Sequence, residues 1–116
     1  MSISTDFNAI HIQADKEGRQ AAAEAELQML TIKDQNGRVY DPFPICGFAW
    51  VKFAGNTAWG RWAKKNINAR PGYPNGLQIW ISDYDQSYDK KVAYARAYAN
   101  VLKLNGIDAY GDGRLD

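Results

Sequence analysis

The sequence predicts an α+β fold: one small globular domain over residues 1–116, with one mixed β-sheet and two or three helices packed mainly on one face. Three observations support this class. Residues 46–53 alternate in side-chain character as a half-buried strand does. Residues 88–105 repeat apolar side chains at helical spacing. A chain of 116 residues has room for one hydrophobic core but not for two.

The N-terminal part is predicted to contain a strand followed by a helix. Apolar side chains at alternate positions indicate a strand over about residues 7–13. The run AAAEAELQML is rich in strong helix formers and indicates a helix over about residues 16–30. Asp15 is the predicted N-cap of that helix, since its carboxylate can accept from the first free backbone N–H groups.

A β-ribbon is predicted next. The dipeptide Asn36-Gly37 readily adopts the positive φ angles of a tight hairpin turn. Short apolar runs flank it at residues 30–32 and 39–40. These runs are expected to pair with each other after the first helix ends.

The clearest strand covers residues 46–53, and its two faces differ in chemistry. One face carries small and apolar side chains: Gly47, Ala49, Val51 and Phe53. The other face carries two aromatic rings and one cation: Phe48, Trp50 and Lys52. Such a strand can cover a core with one face and present the other to solvent or to a ligand.

A helix over about residues 57–67 is predicted after this strand, with Asn56 as its N-cap. Its apolar face comprises Trp59, Trp62, Ala63 and Asn66, and its opposite face comprises Arg61, Lys64 and Lys65. The two tryptophans of this helix are therefore expected to belong to the core.

The C-terminal part is predicted to be strand, helix, strand. Residues 77–82 form a short apolar strand, and the helix over about 88–105 begins at Ser87 as N-cap and ends before Gly106. A last strand is expected at 107–110, followed by a glycine-rich tail. A crossover helix between two strands favours a parallel pair.

Composition bounds the cellular setting. No apolar run approaches the roughly 20 residues of a membrane span, and the N-terminus lacks the basic and apolar regions of a signal peptide. Cys46 is the single cysteine and His11 the single histidine, so internal disulfides and multi-Cys or multi-His metal sites are not predicted. We expect a cytoplasmic protein with no membrane association, no cofactor and no bound metal.

Charge is segregated along the chain. Residues 1–41 carry seven acidic and four basic side chains, residues 42–82 carry none and five, and residues 83–116 carry six and five. All four tryptophans lie in the acid-free middle segment. The net charge of +1 hides this asymmetry, which concerns partners rather than fold.

The octamer Cys46-Gly-Phe-Ala-Trp-Val-Lys-Phe53 resembles the RNP1 motif of the RNA-recognition motif family. The resemblance implies that Phe48 and Trp50 stack on bases from an open sheet face, with Lys52 beside them for phosphate. The octamer has Cys46 where the motif has a basic residue. The companion motif would have to lie around His11, so the resemblance concerns local chemistry. The alternative is an amphipathic strand whose aromatic rings pack beneath a helix.

The basic side chains of the acid-free segment are the second part of the predicted site. They are Lys52, Arg61, Lys64, Lys65 and Arg70. Cations of this kind release counterions when they bind phosphates, and neighbouring aromatic rings can stack on unpaired bases. The pI of about 7.8 is lower than the values above about 9 that are typical of nucleic-acid-binding domains. The three cations of the helix are alternatively its solvated face.

Catalysis is not predicted. The aspartates between Asp83 and Asp89 begin like a calcium loop but lack the glycine and the final acidic ligand, and they suffice as helix caps. Convergence with Asp108, Asp112 and Asp116 on magnesium is a further possibility that the spacing does not require. Pairing of Cys46 with His11 as a nucleophile would require that they lie close together.

Two functions remain in view. The first is a small non-enzymatic protein that binds nucleic acid, most plausibly single-stranded, through Phe48, Trp50, Lys52 and the basic residues of the middle segment. The alternative is a protein–protein interaction module, such as a small accessory or inhibitory protein that uses tryptophan and tyrosine anchors. The sequence does not indicate the oligomeric state.

Overall fold

The computed structural model describes residues 6–27, 29–31, 33–39, 43–84 and 87–116. The helices of this part of the chain are α1 (Phe7–Glu24), α2 (Ala58–Asn66) and α3 (Tyr88–Leu104). Its strands are β1 (Met29–Leu30), β2 (Phe43–Pro44), β3 (Gly47–Phe53), β4 (Arg70–Pro71), β5 (Leu77–Trp80) and β6 (Ala109–Leu115). The elements form a single small α+β domain, as the sequence predicts.

The main sheet has the strand order β4-β5-β3-β6, and every neighbouring pair is antiparallel. Because β5 and β6 are both antiparallel to β3, they run in the same direction with β3 between them. Helix α3 is the crossover that joins them. The crossover therefore does not produce the adjacent parallel pair that it favoured, and the sheet is antiparallel rather than mixed.

Helix α3 lies between the sheet and α1, and glycines allow the close approach on both sides. A Cβ atom on Gly111 of β6 would come within 2.5 Å of the Ala95 backbone of α3. A Cβ atom on Gly18 of α1 would come within 2.6 Å of the Tyr94 ring. The molecule is thus layered as sheet, α3 and α1, with the helices on one side of the sheet.

The core is formed by the inner face of the sheet, the predicted apolar face of α3 and the tryptophan face of α2. Trp59 is 2% exposed, and its ring packs edge-on against Phe53 and Phe7. Trp62 is half-buried and stacks on Trp59 with 5.2 Å between ring centroids. The prediction that these two tryptophans belong to the core is confirmed for Trp59, and Trp62 forms its rim.

The prediction for the N-terminus is wrong in two respects. Residues 7–13 are the first turns of α1 rather than a strand, and this helix ends at Glu24. Its N-cap is Asp6, whose carboxylate accepts from Ala9 N at 3.0 Å, while Asp15 lies inside the helix. Phe7, Ile10 and Ala14 recur at helical spacing and pack into the core, which outweighs the local alternation.

The two helices that the sequence predicts after residue 53 agree closely with α2 and α3. Ser87 caps α3 and Gly106 follows it at φ +79°, as predicted. The N-cap of α2 is Thr57 rather than Asn56, and its hydroxyl accepts from Gly60 N at 2.9 Å. Thr57 precedes the first helical residue directly, so it is placed to reach that N–H group.

The last strand differs from its prediction because the glycine-rich tail is itself the strand. It spans Ala109–Leu115 and pairs with all of β3 instead of covering residues 107–110. Glycines at 111 and 113 resemble a loop in sequence. In the fold they leave room for α3 and for the β3 backbone.

The predicted ribbon is present where the chain around it is described. Lys33 bridges to Val39, and Gly37 occupies the turn at φ +80°. Residues 32 and 40, which were also predicted to pair, lie outside the described residues. Strands β1 and β2 form a separate two-stranded sheet at the base of this ribbon. Within the described ranges, none of the helices is long and apolar enough to cross a membrane.

Candidate functional site

Within the described ranges, one face of the main sheet carries no helix, and we call it the open sheet face. The buried positions of β3, which are Gly47, Ala49, Val51 and Phe53, face the helices, so the side chains at the alternate positions point the other way. The strand register places their cross-strand partners on the same face. The open sheet face therefore comprises Phe48, Trp50, Lys52, Arg70, Gln78, Trp80, Tyr110, Asp112 and Arg114.

Three aromatic rings lie in contact near the centre of this face. Trp50 and Trp80 are direct cross-strand partners with 5.2 Å between ring centroids and planes inclined by 43°. Phe48 meets Trp80 edge-on with 6.0 Å between centroids. Trp80 remains 46% exposed, and Tyr110 on the neighbouring edge strand is 48% exposed. Large aromatic side chains are thus left uncovered where a protein interior would normally enclose them.

Basic side chains surround these rings. Lys52 is the cross-strand partner of Tyr110 and of Gln78, and Arg70 pairs with Gln78 at the outer edge. The guanidinium carbon of Arg114 lies 5.6 Å from the centroid of Phe48. Strands β3, β4 and β6 therefore each contribute one cation to the same face.

One acidic side chain interrupts the positive charge. Asp112 lies opposite Trp50 on β6. Its carboxylate oxygen Oδ1 accepts a hydrogen bond from the backbone N–H of Gly113 at 2.8 Å. The negative charge faces solvent and lies between the cations of β3 and β6, so it opposes their attraction for an anion.

A loop is attached to the edge of the open sheet face by Lys52. The Lys52 ammonium donates to the carbonyl oxygen of Tyr73 at 2.8 Å. Tyr73 lies in the turn between β4 and β5, and its side chain is 90% exposed. An ammonium group has three donors, so Lys52 can hold the loop and still donate to a ligand.

A buried cation supports the ring of Phe48. Lys91, in the first turns of α3, is only 6% exposed. Its ammonium donates to Gly47 O at 3.4 Å and lies 5.8 Å from the centroid of the Phe48 ring. Cations beneath and beside the ring hold Phe48 in place by attraction to its π-electrons.

The structure brings together four of the residues predicted from sequence. Phe48, Trp50, Lys52 and Arg70 all lie on the open sheet face. The alternative that the two rings pack beneath a helix does not hold for the described ranges, because α1, α2 and α3 all lie on the opposite face of the sheet. Arg61, Lys64 and Lys65 are exposed on α2, which packs through Trp59 against Phe53 on the helical side of the sheet. The predicted basic segment is thus divided between two surfaces.

Sequence reasoning missed the other members of the face. Alternation within the run LQIWIS places Gln78 and Trp80 on one side, and this signal could have found them. Tyr110 and Arg114 had no such signal, because Gly111 and Gly113 made their segment resemble a loop. Only the pairing of β6 with β3 shows that they join the site.

The single histidine belongs to the contact between α1 and α3. His11 Nδ1 lies 2.6 Å from the hydroxyl oxygen of Tyr98, and its ring packs against Trp62. Burial lowers the pKa of His11, although the nearby Asp15 carboxylate raises it. Burial also raises the pKa of Tyr98, so its hydroxyl keeps the proton and donates it to a neutral imidazole. Cys46 instead donates to Pro44 O, so the two residues do not form a nucleophilic pair.

A carboxylate completes the same helix–helix contact. Tyr94 of α3 donates a short hydrogen bond to Asp15, and Arg19 Nε donates to the same carboxylate at 2.9 Å. Burial alone would raise the pKa of Asp15, but the hydrogen bonds from Tyr94 and Arg19 outweigh it and lower the pKa. The hydrogen bond between Asp15 of α1 and Tyr94 of α3 therefore helps to hold the two helices together.

Metal ligands do not converge in the described ranges, where no group of three or more histidine, cysteine or acidic side chains could hold an ion. Residues 85 and 86 of the aspartate-rich run lie outside those ranges. The partner stretch that the RNP1 resemblance would require, around His11, lies in α1 rather than on a strand. The resemblance is thus limited to the octamer itself.

Comparison with known proteins gives no family for this chain: no family model, no curated protein and no solved structure matches it. The open sheet face must therefore be interpreted from its own residues. It combines exposed aromatic rings, cations on neighbouring strands and hydrogen-bonding side chains.

Proposed function

We propose that this protein binds single-stranded nucleic acid on the open sheet face. The observation that carries the proposal is a cluster of contacting rings, with Trp80 exposed and Phe48 and Trp50 half-buried, that shares its face of the sheet with Lys52 and Arg70. Unpaired bases expose both π-faces and can stack on such rings, while the phosphates that join them need cations a short distance away. A duplex hides the faces of its bases and would not use the rings.

Binding in the micromolar range requires about 8 kcal/mol, which stacking reaches at the upper end of its range or with the help of phosphate contacts. Stacking on an aromatic side chain contributes about 1–3 kcal/mol per base. Two or three bases would fit the number of rings, and each neutralised phosphate would add affinity by counterion release at low salt. The rings already contact one another, so little side-chain freedom remains to be lost on binding.

A protein partner is the second candidate, and a specific feature favours it. Strand β6 is the edge of the sheet, with Tyr110 48% and Leu115 57% exposed. An edge strand with apolar side chains can pair with an extended segment of another protein. This binding would depend on the backbone of β6 and only weakly on salt.

The test uses two double charge reversals that change the net charge equally. Lys52→Glu/Arg70→Glu alters the open sheet face, and Lys64→Glu/Lys65→Glu alters the exposed face of α2. Binding to a fluorescein-labelled mixed-sequence 12-nucleotide DNA is measured by fluorescence anisotropy between 50 and 300 mM NaCl. Circular dichroism and thermal unfolding verify that both variants are folded.

We expect the first variant to lose more than about 30-fold in affinity at low salt, because it replaces two phosphate contacts by repulsion. The second variant should lose at most about fivefold through its net charge alone. Equal losses in both variants would contradict the placement of the site on the sheet. Absence of binding by the unmodified chain at every salt concentration would refute nucleic-acid binding and leave the edge-strand function.

A further inference from the structure

A cavity adjoins the open sheet face at the edge formed by β4 and β5. It has a volume of about 340 Å³, within the range of sites that hold small ligands. Arg70, Gln78 and Trp80 belong both to its lining and to the open sheet face, and Asn68 and Ser82 add further polar groups. A base that extends past the ring cluster at Trp80 would reach this cavity.

The cavity exists because β4 is short. Asn68, which the register would place opposite Trp80, adopts a left-handed conformation at φ +59°, so regular pairing with β5 begins only after this turn. Arg70 pairs with Gln78, and the pairing ends there. The outer edge of β5 is therefore open beside Trp80.

Hydrogen-bond geometry shows which backbone groups face this edge. Ile81 N donates to Ala49 O of β3 at 3.0 Å. Bonded and non-bonded pairs alternate in an antiparallel ladder, so the N–H and C=O of Gln78 and Trp80 point away from β3. Those of Gln78 face its β4 partner Arg70. Those of Trp80 have no partner within the described part of the chain.

A hydrogen bond with the indole of Trp80 determines the orientation of the Gln78 amide. Trp80 Nε1 lies 3.1 Å from Gln78 Oε1. An indole nitrogen only donates, so the oxygen of the amide must face it and the NH2 group is left for another acceptor. The described residues provide no acceptor for this NH2 group and none for the guanidinium of Arg70. The cavity therefore offers several unpaired donors: the NH2 group of the Gln78 amide, the guanidinium of Arg70 and the backbone N–H of Trp80.

We propose that this cavity binds guanine selectively, so that the protein prefers guanine-containing single strands. The inference rests on the proposed function. Guanine presents two adjacent acceptors, O6 and N7, whereas adenine places a donor beside N7 and thymine has a single O4 on that edge. Arginine is the usual partner of the guanine pair. A purine also covers more of the Trp80 ring than a pyrimidine does.

The experiment measures binding of the full chain to labelled eight-nucleotide DNAs. One oligomer is all thymidine, and the others carry a single guanine, adenine, cytosine, hypoxanthine or 7-deazaguanine at the fourth position. We expect guanine and hypoxanthine to bind about tenfold more tightly than adenine or thymine, as one bidentate contact gives. Deletion of N7 in 7-deazaguanine should remove most of this gain.

Gln78→Glu is the decisive variant, because the carboxylate still accepts from Trp80 Nε1 while the donor is lost. It should abolish the guanine preference. The matched control is Gln35→Glu, which makes the same charge change in the exposed ribbon turn and should keep the preference. Binding that is lost in Lys52→Glu/Arg70→Glu but is within twofold for all bases would overturn the guanine site while the proposed function stands. A preference for cytosine would also overturn it, and failure to bind any oligomer would overturn both proposals.

Discussion

Trp80 donates a hydrogen bond from its indole Nε1 to Gln78 Oε1 two residues earlier on the same face of β5, at 3.1 Å. The bond fixes the ring of an exposed tryptophan that would otherwise sample several rotamers. It also fixes the amide of Gln78, with its oxygen on the indole and its NH2 group left for another acceptor. One contact thus orients both a stacking surface and a hydrogen-bond donor before any ligand arrives, which reduces the entropy cost of binding.

The first prediction separates the two kinds of tryptophan in this chain. Trp59→Ala should lower the free energy of unfolding by about 3–5 kcal/mol, because the ring is almost fully buried against Phe7 and Phe53. Trp80→Ala should cost about 1 kcal/mol, since the exposed ring loses its contacts with Trp50 and Phe48. Urea unfolding followed by far-ultraviolet circular dichroism measures both values.

Binding should show the reverse order. Trp80→Ala should lose about tenfold in affinity for a single-stranded oligomer, as removal of one stacking ring does. Equal destabilisation by the two substitutions would contradict the view that the open sheet face is exposed. An unchanged affinity of the Trp80 variant would exclude this ring from the binding site.

The second prediction concerns the contact between β6 and α3. Gly111→Ala should destabilise the protein by about 2–3 kcal/mol or prevent folding, because the added Cβ would lie 2.5 Å from the Ala95 backbone, which cannot move independently of its helix. Gly106→Ala is the control, since its surroundings are open but its φ is +79°. It should cost only about 1 kcal/mol of backbone strain. Thermal and urea unfolding give the comparison, and similar losses would argue against close packing at Gly111.

The elements that could be predicted from sequence are those whose local pattern agrees with their burial. Helix α3 has a cap at Ser87, a broad apolar face and a stop at Gly106, and all three are present in the fold. The start of α1 is wrongly predicted as a strand, because apolar and polar side chains alternate over residues 7–13. Their helical spacing matters only once Phe7 and Ile10 have a core to pack against.

The site was predictable only in part, for a related reason. Alternation within β3 gave Phe48, Trp50 and Lys52 without any knowledge of neighbouring strands. Arg70 was found through charge alone, and the register then placed it on the same face. Arg114 could not be found, because the glycines around it are required by the close packing of α3 against the sheet. Pairwise contacts of this kind leave no periodic signal in a single sequence.

The third prediction is a loss of stability on mild acidification. The pKa of His11 is lowered below its ordinary value of 6.5 in the folded protein, chiefly by burial. The unfolded chain therefore binds a proton between pH 6.5 and the lower folded pKa while the folded protein does not. Stability is complete above pH 6.5 and falls as the pH decreases through this interval. Urea unfolding at several pH values from about 7.5 to about 3 measures the fall and also covers the range below pH 3.8.

His11→Gln tests the assignment, because this is the only histidine in the chain. The variant should be less stable at pH 7.5 but should show little change between pH 7.5 and 5. A second fall below pH 3.8 should persist in it, since the pKa of Asp15 is lowered and its contribution disappears as the carboxylate protonates. An unchanged slope in the His11 variant would assign the acid sensitivity to other groups.

The last prediction uses the one acidic residue of the open sheet face. Asp112→Asn preserves an oxygen that can accept from Gly113 N, so the backbone of β6 and the fold should remain unchanged. It removes a negative charge between Lys52 and Arg114. At about 8 Å in a water-like dielectric one charge pair is worth about 0.5 kcal/mol, so relief from one or two phosphates should raise affinity about two- to fivefold.

Glu26→Gln, exposed beyond the end of α1, removes the same charge away from the sheet and should have little effect. Anisotropy titrations at 50 mM NaCl should show the gain, and at 300 mM NaCl screening should reduce it. A partner that recognised the edge of β6 through its backbone would show neither the gain nor its dependence on salt, and that result would turn the assignment from nucleic acid to protein.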